Sequence, residues 1–184
     1  RIGTALKLDS STFQVVRYRT NIADSRNIGF EGFAELDWLK LIHKNAKQKL
    51  STFVNLSLIS ANYVTPGSVY ENNSVEFVPK IIFRTGITYT IKKFSATFQY
   101  SYTDDQFSDA TNAVTAPSAI YGLIPAYSIS DLSASYTHKK FGINAGINNL
   151  LNAKYFTRRA EGYPGPGIIP ADPINFYVTL RYTF

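Results

Sequence analysis

Arg158 and Arg159, adjacent in "YFTRRAEG", are the most suggestive chemical feature of this 184-residue sequence. A guanidinium is a planar fork of donors matched to carboxylate or phosphate. Two of them at the base of a loop can therefore grip a poly-carboxylate by charge-assisted hydrogen bonds. The plain alternative is a pair of surface arginines, and composition does not separate the two readings. Other groups carry less. Asp104, Asp105 and Asp109 in "TDDQFSDATN" could offer oxygens to a hard cation such as calcium, but their spacing fits no EF-hand loop. Glu31, Glu35 and Asp37 fall on one strand face, without a nucleophile or base to complete a catalytic constellation. His43 and His138 stand at turn ends with no metal-ligand spacing. "YPGPGIIP", 163–170, lacks the Lys-Ser/Thr and the strand-to-helix setting of a phosphate loop; its prolines and glycines shape a stiff loop instead. There is no cysteine, which excludes disulfides and thiolate metal sites.

The elements that must position these residues follow a two-residue period. In "KKFSATFQYSYT", Phe94, Ala96, Phe98, Tyr100 and Tyr102 alternate with Ser95, Thr97, Gln99, Ser101 and Thr103. The final "INFYVTLRYTF" alternates without a miss from Ile174 to Phe184. Similar runs, interrupted at Phe33, predict about nine strands, near 2–8, 12–21, 27–42, 50–63, 79–92, 93–104, 127–138, 140–156 and 173–184. No segment reads as a helix. Most of these strands are longer than the five or six residues usual in soluble sheets and reach the roughly 9–11 of a tilted membrane strand. Tight connections, such as Lys92–Lys93 and Lys139–Lys140, alternate with long ones at 64–78, 105–126 and 157–172.

Charged residues make up 17% of the chain, against about a quarter in soluble domains, while aromatic residues make up 15%. The polar alternate is mostly Ser, Thr, Asn, Gln and Gly rather than the Lys and Glu of a solvated sheet. The fold class expected is therefore all-β, an antiparallel transmembrane β-barrel with an aromatic-rich face toward lipid. In that setting the arginine pair could also meet lipopolysaccharide phosphates. The net charge of +6 is spread over turns rather than gathered in one groove, which argues against nucleic acid. No stretch approaches the roughly 18 apolar residues of a transmembrane helix.

Several motifs resemble the C-terminal barrel end of TonB-dependent outer-membrane receptors. "GINNLLNAKYFTRR" is similar to that family's recurrent strand and loop, through Asn148, Asn149, Leu150, Leu151, Asn152 and Tyr155. "NIADSRNIGFEGFAEL" is similar to a strand pair of the family through Asn21, Ser25, Gly29 and Glu31. "FVPKIIFRTGITY", "QFSDATN", "LIPAYSISDLSASY" and "YFTRRAEGYPGPGIIPA" look more narrowly like ferric dicitrate-type receptors. The resemblance implies a barrel of about 22 strands with an N-terminal plug, importing a ferric chelate on energy from the TonB complex. Nine strands and no plug make residues 1–184 the expected C-terminal portion of such a receptor, in the outer membrane of a Gram-negative bacterium.

The resemblance also assigns residues. Arg158 and Arg159 would hold an anionic ferric citrate-like chelate, with Tyr163 and Gln106 as neutral partners. Phe184, with Tyr182 and Leu180, looks like the C-terminal signal read by the barrel assembly machinery. The last strand is expected to close against a first strand outside this sequence. No cofactor is implied beyond the transported chelate. The rival readings are uptake of a glycan, peptide or cobalamin by the same scaffold, a passive porin or adhesin barrel, and an outer-membrane enzyme.

Overall fold

The computed structural model describes residues 2–8, 10–11, 15–115, 119–160 and 167–184, with 2–8 and 15–20 described for their backbone. Among the described residues nine long strands are present: β1 (Ile2–Leu8), β2 (Val15–Asn21), β3 (Ser25–Asp37), β4 (Gln48–Tyr63), β5 (Ile81–Ile91), β6 (Phe94–Thr103), β9 (Tyr127–His138), β10 (Phe141–Asn148) and β13 (Asn175–Tyr182). Four short strands lie within the long connections: β7 (Gln106–Phe107), β8 (Leu123–Ile124), β11 (Phe156–Ala160) and β12 (Gly167–Pro170). β1 and β2 form their own hairpin, and seven strands make one antiparallel sheet in the order β13-β10-β9-β6-β5-β4-β3.

Register sorts the side chains into two faces. One cross-strand row runs Asp37, Ser51, Thr88, Thr97, Ser133, Gly146 and Tyr177; the next runs Leu36, Thr52, Ile87, Phe98, Leu132, Ile147 and Phe176. Adjacent rows point to opposite faces of a pleated sheet. On the polar face, Thr88 and Thr97 hydrogen-bond through their hydroxyls at 2.9 Å, and Thr90 and Ser95 at 3.0 Å. On the apolar face, Ile87, Phe98, Leu132, Val178 and Leu180 are exposed, with Phe176 83% exposed. In water, so continuous an apolar face would have to be covered by another layer; against lipid it is the surface a barrel needs.

The sequence pattern departs from the structure in three places. Residues 38–42, expected to extend a strand, form the helix α1 (Trp38–Ile42), capped by the Asp37 carboxylate accepting from the Lys40 N–H at 3.2 Å. The apolar residues that read as strand continuation, Trp38, Leu41 and Ile42, match one helical stripe at i, i+3 and i+4. The Trp38 indole N–H donates to the Thr52 hydroxyl at 3.0 Å, covering the one hydroxyl in the apolar row. Second, the strand expected over 140–156 ends at Asn148, because Asn149 and Asn152 adopt left-handed backbone (φ 51° each). Third, the connections expected as plain loops carry the β7–β8 and β11–β12 hairpins.

Phe33, the irregular residue of β3, lies on the polar face and stacks on Phe53 at 6.3 Å. Phe53 in turn covers Gly86, where an added Cβ would lie 2.5 Å from its ring. Tyr177 covers Gly146 in the same way, at 2.6 Å. These glycines leave room for an aromatic ring to lie flat across the neighbouring strand.

β13 pairs with β10, and among the described residues no strand pairs with its other edge.

Candidate functional site

The tight turns at Lys92–Lys93 and Lys139–Lys140 lie at one end of the sheet, and the connections 64–80, 104–126 and 149–174 lie at the other. Buried apolar side chains gather at this loop end rather than on the sheet. Ala23, Ala61, Tyr63, Val75 and Ala110 form a small core, joined by Ile22, Ile59, Tyr70 and Val78.

Asparagines brace the loops by imitating backbone. Asn112 accepts from the Ser74 N–H at 2.6 Å and donates to the Ser74 carbonyl at 2.8 Å; Asn73 donates to the Ala110 carbonyl at 2.8 Å. Connections 64–80 and 104–126 are thereby joined, and the Phe77 N–H adds a bond to the Phe107 carbonyl at 2.8 Å. Asn149, only 3% exposed, donates to the carbonyls of Ala153 (2.9 Å) and Asp172 (3.2 Å) and accepts from the Ala153 N–H (2.7 Å). Its own N–H donates to the Asp131 carboxylate at 2.9 Å. Asn152 accepts from the Ile174 N–H at 3.1 Å, and Asn148 donates to Asn175 at 2.8 Å. Tyr155 stacks on Tyr127 with centroids 4.6 Å apart. Burial pushes the Tyr155 phenol above its ordinary range, with Tyr127, Asp131 and Asp172 adding to the rise.

Of the proposed ligand residues, Arg158, Arg159 and Gln106 occupy this same end. Arg158 is exposed on β11, and its side chain makes no ion pair or hydrogen bond among the described residues. Arg159 is half-buried, donating from Nη1 to the Ala119 carbonyl (3.0 Å) and from Nη2 to the Leu123 carbonyl (2.8 Å), with its guanidinium 5.2 Å over the Phe156 ring. Gln106 lies in β7, its backbone paired with Ile124. Tyr163 lies outside the described residues.

The acidic trio does not converge. Asp104 accepts from the Tyr102 hydroxyl at 3.0 Å, and Asp109 accepts from the N–H and hydroxyl of Thr111 at 3.1 and 2.6 Å. Among the described residues no group of three or more His, Cys, Asp or Glu could hold a metal ion. Glu35 pairs with Lys49 at 3.0 Å, Asp37 caps α1, and the His138 ring stacks on Tyr136. At the opposite end of the sheet, Leu180 and Tyr182 share the apolar face, where Tyr182 packs against Phe141 (4.8 Å) and Phe184 (5.1 Å). Phe184 is fully exposed.

The asparagine braces and the Arg159 tie went unread as such in the sequence. Asn149, Asn152 and Tyr155 stood out only as a motif, with no physical role attached. The available signal was the cluster of asparagines at strand ends, where left-handed backbone and side-chain mimicry of a turn are expected.

A sheet of long antiparallel strands with one apolar face and long loops at one end defines the wall of an outer-membrane barrel. The family model for "TonB dependent receptor-like, beta-barrel" matches residues 4–150, and the chain belongs to that family of Gram-negative outer-membrane proteins. No curated protein matches it. Its fold is similar to the unliganded ferric citrate transporter FecA, with TM-score 0.77 and 21% identity over 87% of this chain and 24% of that one. It is also similar to the ferric yersiniabactin uptake receptor FyuA from Yersinia pestis, with TM-score 0.72 and 16% identity over 91% and 25% of the two chains. The copper transporter OprC gives TM-score 0.72 and 16% identity over 100% and 26%. The chain thus spans about a quarter of the length of each.

Proposed function

We propose that this chain forms the C-terminal wall and last extracellular loops of a receptor that carries an anionic ferric chelate, ferric citrate first among candidates, into the cell on TonB-derived energy. The observation that supports this most is Arg158, an exposed guanidinium on a hairpin of the loop end whose side chain has no acidic partner among the described residues. A carboxylate-rich chelate offers that fork a charge-assisted, bidentate partner. Gln106 and Tyr163 supply neutral hydrogen bonds, and Arg159 adds positive charge next to Arg158. Receptors for ferric citrate and ferric yersiniabactin among the fold relatives favour iron. The copper transporter among them is a reminder that loops rather than the barrel choose the cargo.

The remaining strands, the plug and the TonB-contacting segment belong to the rest of the receptor, and this portion alone does not transport. The protein binds and passes its cargo without chemical change, so it is not an enzyme. Lipid covers the apolar rows, and Leu180, Tyr182 and Phe184 are read by the barrel assembly machinery. The Tyr127–Tyr155 stack favours one second reading, uptake of a glycan, peptide or cobalamin held by aromatic contact. Growth of a Gram-negative host on ferric citrate as sole iron source separates these. Growth is expected to need both the full receptor and a working TonB complex; growth indifferent to the receptor would contradict the iron reading.

A further inference from the structure

We infer that the two adjacent arginines act differently: Arg158 meets the cargo, while Arg159 is a positioning residue that ties connection 104–126 to connection 149–174 and holds the capture site in shape before cargo arrives. This inference rests on reading the loop end as the capture site. Successive residues of a strand point to opposite faces. Both arginines lie beyond the irregularity of β11, paired in sequence with Ile169 and Ile168. A ligand met by one is therefore turned away from the other.

The surroundings agree with that division. Arg158 is exposed and unpaired among the described residues, whereas Arg159 spends two separate nitrogens on two carbonyls of the other loop, 40 and 36 positions away in sequence. Its plane rests on Phe156 of its own strand, which fixes the direction of the fork. The receiving loop is shaped to fit. Gly122, at φ 135°, has no Cβ, and one placed there would lie 3.4 Å from Arg159 Nη2 and 3.0 Å from the Val114 carbonyl. Arg159 Nε is buried and finds no acceptor among the described residues. The guanidinium thus has no acidic partner among the described residues, while its geometry is committed to joining two loops. Lysine, a single-point donor, cannot reach both carbonyls in this way.

The test uses the intact receptor in detergent, comparing wild type, Arg158→Gln, Arg159→Gln and Arg159→Lys. Amide hydrogen exchange is followed at Ser108, Gly122 and Leu123, whose N–H groups bond within connection 104–126. Ferric citrate is titrated in parallel, and unchanged protection in β5 and β6 serves as the check on folding. Both Arg159 variants are expected to speed exchange at these amides about tenfold or more without cargo, since they release a local opening. Arg158→Gln should leave exchange at the wild-type rate and weaken ferric citrate binding roughly several-fold. Wild-type exchange in Arg159→Gln overturns the tie. So does full recovery of both exchange and affinity in Arg159→Lys, which would make Arg159 a charge and nothing more. If the wild type binds no ferric citrate while both Arg159 variants still loosen the loop, the substrate reading fails and the tie stands.

Discussion

Asn149 shows how one side chain can set the course of a whole connection. With φ at 51° and its amide bonded to Ala153 and Asp172, it turns the chain out of β10 and fastens both ends of the 149–174 connection. Asn149→Ala loses three buried hydrogen bonds and leaves alanine in left-handed backbone, a local cost of about 2–4 kcal/mol. Faster amide exchange and new protease cleavage within 149–174 are the expected result, with the sheet unaffected. Tyr155 carries a pH prediction. Its phenol is raised by burial, so the folded loop favours the neutral form. The associated stability is present below the ordinary phenol range, near pH 10, and is lost as pH rises through the higher folded value. The difference in absorbance titration between wild type and Tyr155→Phe should therefore show a phenol that ionises above the ordinary range. The sequence exposed these residues as a motif and left their physical role hidden, because each bond joins positions that only the folded turn brings together.

At the scale of the element, alternation made the long strands legible, since a period of two sustained along a whole strand has no competing explanation. It misread 38–42 because Trp38, Leu41 and Ile42 suit either a strand end or one turn of helix, and the Asp37 cap decides between them. It could not find β7, β8, β11 or β12, which are too short to show a period. The close packing of Tyr177 on Gly146 gives the sharpest prediction here. Gly146→Ala pushes a methyl into the ring and should destabilise the β10–β13 pairing by roughly 1–3 kcal/mol. Adding Tyr177→Ala removes the clash, so a double-mutant cycle in urea unfolding should show strong coupling between the two. Val178 tests the apolar face. Lysine there should cost about 2–4 kcal/mol if the position lies near mid-bilayer, whereas a water-exposed sheet would tolerate it.

For the whole molecule, the protein is organised in reverse of a soluble domain. Its large apolar face looks outward, and its compact apolar core sits in the loops at one end. The outward apolar face was readable from composition, through few charges, many aromatics and a polar alternate of small hydroxyl and amide side chains; the core in the loops was not. The cargo was not readable in the same way, because recognition depends on how distant loops meet, and the Arg158–Arg159 pair looked like a single binding unit until strand geometry separated the two. The measurement that tests the account most directly is calorimetric titration of ferric citrate into the intact receptor and its Arg158→Gln variant. Saturable binding, weakened roughly 3- to 10-fold by loss of the charge-assisted contact, is the predicted result. No saturable binding by the wild type, or equal binding by the two proteins, would contradict it.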